Sequence, residues 1–487
     1  MSTHTPVPGR NVVLLVVDQW RNDCLGAAGH PAIQTPHLDN LARQGTRFTR
    51  AYSAVPSCIA ARAALLTGLD QRRHGRTGYR DGVAWTYPQT LGTVFRDAGF
   101  HTQVVGKMHV HPARNLCGFH NVVLHDGYLH ANRWRRPEQT QEDDYLADLR
   151  RHAGADADFI DAGPGCNGYS VSPWPYGQML HPSAWITTQA IDFLRRRDPT
   201  RPFLLKVSYH RPHPPLDPPP AFLDLYRDTA LPPLVRGDWL DLPGVPTVDR
   251  RGPMLDSPIR LTGGGVDLAR RAYYAQCTFI DNQVNRLIHA LHEHRVWENT
   301  SVVFVSDHGE MLYDHDQVGK AQPWEASAGV PFLVRPADAL QAGAGRASDA
   351  IVELRDVLPT LCDLAGIPAP EGLDGRSVLP FCRGEKAAWR THLHGEHASG
   401  TASNQWIVRG PWKYAWYSQT GAEFLFNLAD DPTETCNRAA TRPDELAALR
   451  HLLVEALRGR EEGYVDGARL VTGRPPQPVL HATGLPA

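Results

Sequence analysis

The chain has 487 residues, of which 42% are hydrophobic and 21% are charged, and this composition is typical of a globular protein with a large core. A formal net charge of -2 gives no reason to expect a nucleic acid or an anionic membrane as partner. The 8 cysteines are scattered without a Cys-x-x-Cys pair, which favours a reducing compartment. No apolar run is long enough to span a membrane or to form a signal peptide, so we expect a cytoplasmic protein.

Apolar runs that end in polar side chains predict the strands of a buried, mostly parallel sheet. The runs at residues 11–18, 101–105, 202–207 and 300–305 lead to side chains that can bind a metal or move a proton: Asp18, Gln19, Lys107, His109, His213, Asp307 and His308. Ligands collect beyond the carboxyl ends of such strands, so these residues are candidates for one site. On extended backbone Lys107 and His109 would point the same way. For Asp18 and His213 taken singly, a solvated strand end or a rigid surface loop fits equally well.

Helical periodicity and capping residues predict helices over residues 35–45, 58–68, 90–99, 267–295 and 354–366. Residues 113–200 are rich in aromatic residues, Gly and Pro but lack periodicity, and we expect loops over the site there. Four side chains in this stretch favour an aromatic or sugar-like substrate, or else serve as core anchors: His130, Trp134, Trp174 and Trp185.

The composition changes late in the chain, and we expect a catalytic domain over residues 1–374 and a smaller α+β subdomain over residues 375–487. Short antiparallel strands are predicted at residues 404–408, 412–416 and 424–427, followed by a helix over 443–457. The tail after Gly463 has no periodicity. An arm over the neighbouring subunit of a homo-oligomer and a loose end both remain open for this tail.

Cys58 stands immediately before an Ala- and Leu-rich run that ends at Gly68, which predicts a helix with the cysteine at its N-terminus. Unpaired backbone N–H groups and the helix dipole favour an anion at that end. Arg62 lies one turn later on the same face. The alternative on this stretch alone is a buried structural cysteine.

Seven motifs occur together in an order that resembles the sulfatase branch of the alkaline phosphatase superfamily. They are Val-Val-Asp18-Gln19, Thr35-Pro-His-Leu-Asp-Asn-Leu, Pro56-Ser-Cys58-Ile-Ala-Ala-Arg62, Gly106-Lys107-Met-His109, Pro212-His213-Pro214, Ser306-Asp307-His308-Gly309-Glu310 and Gly319-Lys320. The resemblance implies an α/β fold in which helices sandwich a large mixed, mostly parallel sheet. It also implies the hydrolysis of a sulfate monoester to an alcohol and inorganic sulfate.

The resemblance further implies that Cys58 is oxidised by a formylglycine-generating maturation enzyme to Cα-formylglycine, whose hydrate is the nucleophile. One divalent cation would be bound by Asp18, Gln19, Asp307, His308 and residue 58. The Gln/His combination is similar to that of choline sulfatases and phosphonate monoester hydrolases. Calcium and manganese are the expected ions, and magnesium stays open.

The resemblance also assigns roles around the sulfuryl group. Lys107 and Lys320 would bind its oxygens, and His213 would be a further substrate-binding residue. Asp307 would take the proton of the attacking hydroxyl. His213 or Lys320 would protonate the leaving alcohol, and His109 would deprotonate the remaining hydroxyl so that sulfate is expelled. Arg62 would steady the hydrate and the bound anion.

Two alternatives stay open. The same residues suit a phosphonate monoester or phosphodiester hydrolase, although Lys107 and His109 favour sulfate because the phosphonate hydrolases carry uncharged hydroxyl residues at these positions. The usual modification signal has Pro where this chain has Ala60. With Cys58 unconverted, the chain would be a catalytically silent protein that binds a metal and sulfate.

Overall fold

The computed structural model describes residues 9–127, 143–242, 245 and 262–484. The apolar run near the N-terminus forms a strand, Asn11–Asp18, in which every residue is buried. It lies inside an eight-stranded sheet whose members are, in chain order, β1 Asn11–Asp18, β2 Thr46–Tyr52, β3 His101–Gly106, β4 Asn121–Leu124, β5 Phe203–Pro212, β6 Thr300–Ser306, β7 Phe332–Arg335 and β8 Arg346–Glu353.

The strand order in this sheet is β4-β3-β5-β1-β6-β7-β2-β8. All adjacent pairs are parallel except the two made by β7, which runs antiparallel to β6 and β2. The predicted mixed, mostly parallel sheet is therefore confirmed. Because β1, β5 and β6 are neighbours, their carboxyl ends meet at one edge, which is where the candidate residues cluster.

Twelve α-helices lie in the part of the chain that the structure describes: α1 Pro36–Gln44, α2 Cys58–Thr67, α3 Gln71–His74, α4 Leu91–Asp97, α5 Asp144–Ala153, α6 Pro182–Arg196, α7 Pro220–Asp224, α8 Gly264–Glu293, α9 Glu325–Ala328, α10 Val357–Ala365, α11 Leu379–Cys382 and α12 Pro443–Leu457. Alternate residues of β1 face two different cores. Val13, Leu15 and Val17 pack with side chains of α6 and α8, whereas Val12, Leu14 and Val16 pack with those of α2 and α10. Helices thus cover both faces of the sheet. No helix in the described ranges is long and apolar enough to cross a membrane.

The prediction of loops over residues 113–200 is wrong for much of the described part, which contains β4, α5 and α6. In α6 the polar residues Thr, Thr, Gln and Asp stand between the buried Ile186 and Phe193, and this mixture obscured the helical period. Trp174 and Trp185 are buried in the core below this region and are anchors, not substrate contacts. His130 and Trp134 lie outside the described residues.

The smaller sheet has four antiparallel strands in the order β12-β11-β10-β9: β9 His392–His397, β10 Asn404–Arg409, β11 Trp412–Tyr417 and β12 Glu423–Asn427. Three of them were predicted. β9 was missed because its sequence, His-Leu-His-Gly-Glu-His, lacks the β-branched alternation of a strand. One face of this sheet packs on α12, and the other packs on aromatic side chains of the large domain. A domain boundary at residue 375 stays a prediction.

The C-terminal tail returns to its own chain. After the short hairpin of β13 (Val465–Asp466) and β14 (Arg469–Leu470), the carbonyl of Pro478 accepts a hydrogen bond from the Thr77 amide at 3.1 Å. The Leu480 amide donates to the Gly75 carbonyl at 2.8 Å. The tail is therefore held against the segment that follows α3.

Candidate metal centre and active-site cleft

Four candidate ligands converge at the carboxyl ends of β1 and β6. Asp18 ends β1, Asp307 and His308 directly follow β6, and Cys58 begins α2. One ligand atom from each of these residues lies within 4.8 Å of those of the others, and all four side chains are buried. Gln19 joins the same place through its backbone, since its amide donates to Asp307 Oδ1 at 3.2 Å.

His308 presents a lone pair to this cluster. Its Nδ1 lies 3.0 Å from the carbonyl of Gly309, which can only accept, so Nδ1 carries the proton. Nε2 faces Cys58 Sγ at 3.1 Å and Asp18 Oδ1 at 3.4 Å. Burial, assisted by Lys320, lowers the pKa of His308 although Asp307 opposes this, so the ring is neutral. Two carboxylates and a neutral imidazole fit a hard divalent cation.

Two cations neutralise the carboxylates from the protein side. Arg62 donates from Nε to Asp307 Oδ2 at 2.9 Å, and its Nη2 lies 2.9 Å from the same oxygen in an ion pair. Lys107 Nζ donates to Asp18 Oδ2. Burial would raise the pKa of the Asp18 carboxyl, but Lys107, helped by Arg62, lowers it well below its ordinary value. Asp18 is therefore an ionised carboxylate. The contacts of Arg62 place it on the carboxylates, whereas its expected contact with the hydrate stays a prediction.

The thiol of Cys58 is a poor reactive group in this setting. Burial, with Asp18 nearby, raises its pKa to about 12, so the unmodified side chain stays protonated at neutral pH. The thiolate is the form of cysteine that attacks electrophiles and binds metals. The position at the start of α2, flanked by metal ligands and Lys107, therefore suits a different functional group on residue 58 better than a thiol.

Lys320 connects the metal cluster with His213. Its Nζ lies 2.6 Å from Gln19 Oε1 and 2.7 Å from His213 Nε2, while His213 Nδ1 donates to the Pro214 carbonyl at 2.8 Å. Burial and Lys320 lower the pKa of His213 well below its ordinary value. The imidazole is thus neutral and accepts from Lys320. Of this pair, Lys320 is the group that holds a transferable proton.

Gln19 is held in one amide orientation. Its Nε2 donates to Glu310 Oε2 and lies 3.3 Å from the Tyr169 hydroxyl, which itself donates to the same Glu310 oxygen at 2.7 Å. The amide oxygen is therefore turned toward Lys320. Its role as a metal ligand stays a prediction. Tyr169 was not found from the sequence because residues 113–200, which contain it, lack periodicity and carry none of the seven motifs.

His109 reaches the cleft by a different backbone from the one expected. The extended conformation predicted for residues 107–109 is wrong, because His109 has φ of 55° and the amides of Met108 and His109 both donate to Asp126 Oδ1. Neither ring nitrogen of His109 has a partner among the described residues. Burial and Lys107 lower its pKa well below the ordinary value, which leaves a neutral base facing the cleft.

These groups open into a cleft of about 350 Å³ lined by Cys58, Lys107, His109, His213 and Lys320. Its outer wall contains side chains that sequence reasoning missed, namely Tyr79, Asn167, Tyr169, His397 and Ser399. They come from three separate segments and share no motif. Only the folded chain brings them together.

Comparison with known proteins agrees with this arrangement. A family model described as Sulfatase matches residues 10–367, and a model described as N-sulphoglucosamine sulphohydrolase, C-terminal, matches residues 314–461. The chain is 44% identical over 479 residues to an arylsulfatase of Clostridium perfringens, and the alignment covers 97% of this chain and 99% of the relative.

Solved structures share the fold. A phosphonate monoester hydrolase of Agrobacterium radiobacter superposes with a TM-score of 0.75 at 24% identity and covers 92% of this chain and 95% of its own. A protein solved with its substrate D-glucosamine-2-N,6-O-disulfate gives a TM-score of 0.72 at 22% identity, over 92% and 98% of the two chains.

Proposed function

Since this chain belongs to the sulfatase family and is a sulfuric ester hydrolase, we propose that it cleaves aryl sulfate monoesters with a formylglycine formed from Cys58. The observation that carries the proposal is the convergence of Asp18, Asp307 and His308 on residue 58. The 44% identity with an arylsulfatase over nearly the whole chain supports the choice of an aryl ester.

The proposed cation site consists of Asp18, Asp307, His308 and residue 58, with Gln19 as a further oxygen donor. Its donors favour calcium, manganese or magnesium over soft metals. A bound divalent cation would lower the pKa of a hydroxyl that it holds and would offset negative charge in the transition state.

We assign binding of the sulfuryl group to the cations around Cys58. Lys107 Nζ lies 3.9 Å from Cys58 Sγ, close enough to contact an oxygen of a group bonded to residue 58. The N-terminus of α2 offers backbone N–H groups at the same place. Lys320 approaches from the His213 side of the cleft. These donors would stabilise the charge that develops on the sulfuryl oxygens.

The proton transfers follow from the histidine tautomers. Lys320 carries a proton and His213 accepts from it, so we assign protonation of the leaving oxygen to the Lys320–His213 pair. The neutral ring of His109 has no hydrogen-bond partner in the described part of the chain, which suits the base that deprotonates the residual hydroxyl and releases sulfate. An aldehyde hydrate keeps this second hydroxyl, whereas a simple Ser or Cys ester lacks it.

Conversion of Cys58 by a maturation enzyme is part of the proposal, despite Ala60. Residue 60 is the third residue of α2, and the first turn of a helix tolerates proline as well as alanine. We also retain the cytoplasm as the proposed location, which the eight free cysteines support.

The test is hydrolysis of 4-nitrophenyl sulfate by the purified protein. The rate is compared with that on a phenyl phosphonate monoester and with that of a Cys58→Ala variant. We expect sulfate release that a chelator abolishes and that calcium, manganese or magnesium restores. The variant should lose activity while retaining its fold by circular dichroism. A faster rate on the phosphonate would favour the alternative hydrolase, and no turnover of either ester would favour the silent binding protein.

A further inference from the structure

His397 is an unassigned histidine in the cleft. It ends β9 of the small sheet, and its side chain lines the cleft together with Cys58, Lys320 and Tyr79. Only 3% of the residue is exposed, yet neither ring nitrogen has a hydrogen-bond partner among the described residues. Buried polar groups normally have partners, because an unpaired one costs free energy. His109, which the mechanism uses, shows the same two free nitrogens.

The neighbouring side chains on β9 show that this strand can satisfy its polar groups. His394 Nε2 lies 2.8 Å from Gln405 Oε1, and its Nδ1 lies 3.2 Å from Gln71 Nε2. Glu396 accepts two hydrogen bonds from Arg460, at 2.6 and 2.9 Å. Of these three side chains of β9, that of His397 lines the cleft and is the one without a hydrogen-bond partner among the described residues.

The strand end that carries His397 is fixed to the catalytic domain. The Glu396 amide donates to the Ala54 carbonyl, and the Ala398 amide donates to the Thr77 carbonyl, both at 2.8 Å. Gly78 pairs with Ala398 in a β-bridge so close that a Cβ at residue 78 would collide with the Ala398 carbonyl oxygen. The bridge therefore holds His397 and Tyr79 on one rigid wall.

The chemistry of this wall limits what it can bind. Of the cleft-lining residues that the structure describes, none is a carboxylate, and Lys107 and Lys320 are cations. A cationic alcohol would find no countercharge there. Burial, assisted by Lys320, lowers the pKa of His397 to about 4, so its neutral ring offers one donor and one acceptor.

We propose that His397 binds the leaving-group half of the substrate by a hydrogen bond and selects neutral, hydroxylated aryl sulfates over cationic ones. This inference rests on the proposed sulfatase function. The sulfuryl half already has Lys107, Lys320 and the start of α2, whereas His397 stands on the wall contributed by the small sheet.

The experiment compares 4-nitrophenyl sulfate with 4-nitrocatechol sulfate, which differs by one hydroxyl, and includes choline sulfate as a cationic ester. The wild type should favour the catechol ester and turn over choline sulfate poorly. His397→Ala should lower kcat/KM for the catechol ester by about tenfold and for the nitrophenyl ester by less than threefold. His397→Gln, which keeps a donor and an acceptor, should restore part of the preference.

His394→Gln is the matched control, because it changes a half-buried histidine of the same strand outside the cleft lining and should leave the preference intact. The inhibition constant of inorganic sulfate should be unchanged in His397→Ala. Equal losses of kcat/KM on both aryl esters would show that His397 does not bind the extra hydroxyl of the leaving group. Weaker inhibition by inorganic sulfate would show that it binds the sulfuryl half. Either result would overturn the inference. An inactive wild type would instead refute the proposed function itself.

Discussion

At the scale of single residues, the site depends on which group neutralises which carboxylate. The Nε and Nη2 atoms of Arg62 both lie 2.9 Å from Asp307 Oδ2. Its Nη1 donates to the Lys107 carbonyl at 3.0 Å and to the Ser208 hydroxyl at 2.9 Å. One side chain thus fixes a proposed metal ligand and the backbone that carries a sulfuryl-binding lysine. A lysine cannot reproduce this planar geometry.

Arg62→Lys should therefore weaken divalent-metal affinity by about 10- to 100-fold, the range seen when partners of metal ligands are altered. A metal titration of the folded variant measures this loss. Arg335→Lys is the matched control, since Arg335 is also buried but bonds the Trp297 and Thr300 carbonyls at the opposite end of β6. Unchanged affinity in Arg62→Lys would show that Asp307 is held without it.

Lys320 is the second residue whose role can be isolated. If it supplies the leaving-group proton, Lys320→Ala should reduce kcat/KM for phenyl sulfate by about 10²- to 10⁴-fold and should reduce it much less for 4-nitrophenyl sulfate. The nitrophenolate leaves without needing a proton. A loss of the same size on both esters would restrict Lys320 to binding the sulfuryl group.

At the scale of elements, α2 shows what the sequence can predict. Its Ala/Leu run, the start at Cys58 and the cap at Gly68, with φ of 70°, were all readable locally. The strands β1, β5 and β6 were equally readable because their apolar runs are buried on both faces, whereas β3 is apolar only at Val104 and Val105. β7 and β8 were not identified from the sequence. β7 has only four residues, and the first half of β8 is polar and mostly exposed, so neither strand gives a clear pattern.

The motif residues of the site could be named from the sequence, whereas the wall of the cleft could not. Asp18, Lys107 and Asp307 stand at ends of strands, so their convergence follows from parallel topology. Tyr79 and His397 both line the cleft, and the Gly78–Ala398 bridge joins the two distant segments that carry them. Contacts of this kind depend on tertiary packing and carry no local signal.

The first turn of α2 yields a prediction about maturation. Ala60→Pro restores the usual modification signal at a helical position that tolerates proline. With a maturation enzyme that requires this proline, we expect the converted fraction of residue 58 to rise and the activity per molecule to rise in proportion. Conversion that is complete in the wild type and unchanged in the variant would show that Ala60 is no obstacle.

At the scale of the whole molecule, buried neutral histidines make the fold sensitive to acid. Burial, with a smaller contribution from Arg76, lowers the pKa of His74 to about 3, whereas an unfolded histidine titrates near roughly 6.5. Below about pH 6.5, His74 of the unfolded chain takes up a proton that the folded chain excludes. The stabilisation is therefore present above pH 6.5 and is lost as the pH falls toward the folded pKa.

His74→Gln should flatten the decline of the unfolding free energy between pH 6.5 and 4 by about 1.4 kcal/mol per pH unit. Denaturant unfolding at several pH values measures the slope. His451→Gln, at an exposed position of α12, is the control and should leave the slope unchanged. Parallel curves for the wild type and His74→Gln would contradict a buried neutral His74.

The central claim is that residue 58 does not act as cysteine. Trypsin should release it in the peptide of residues 51–62, between Arg50 and Arg62. In active preparations, mass spectrometry of this peptide should show an aldehyde in place of the thiol, in a fraction that rises with specific activity on 4-nitrophenyl sulfate. Full activity from protein in which this peptide carries only the unmodified thiol would contradict the claim.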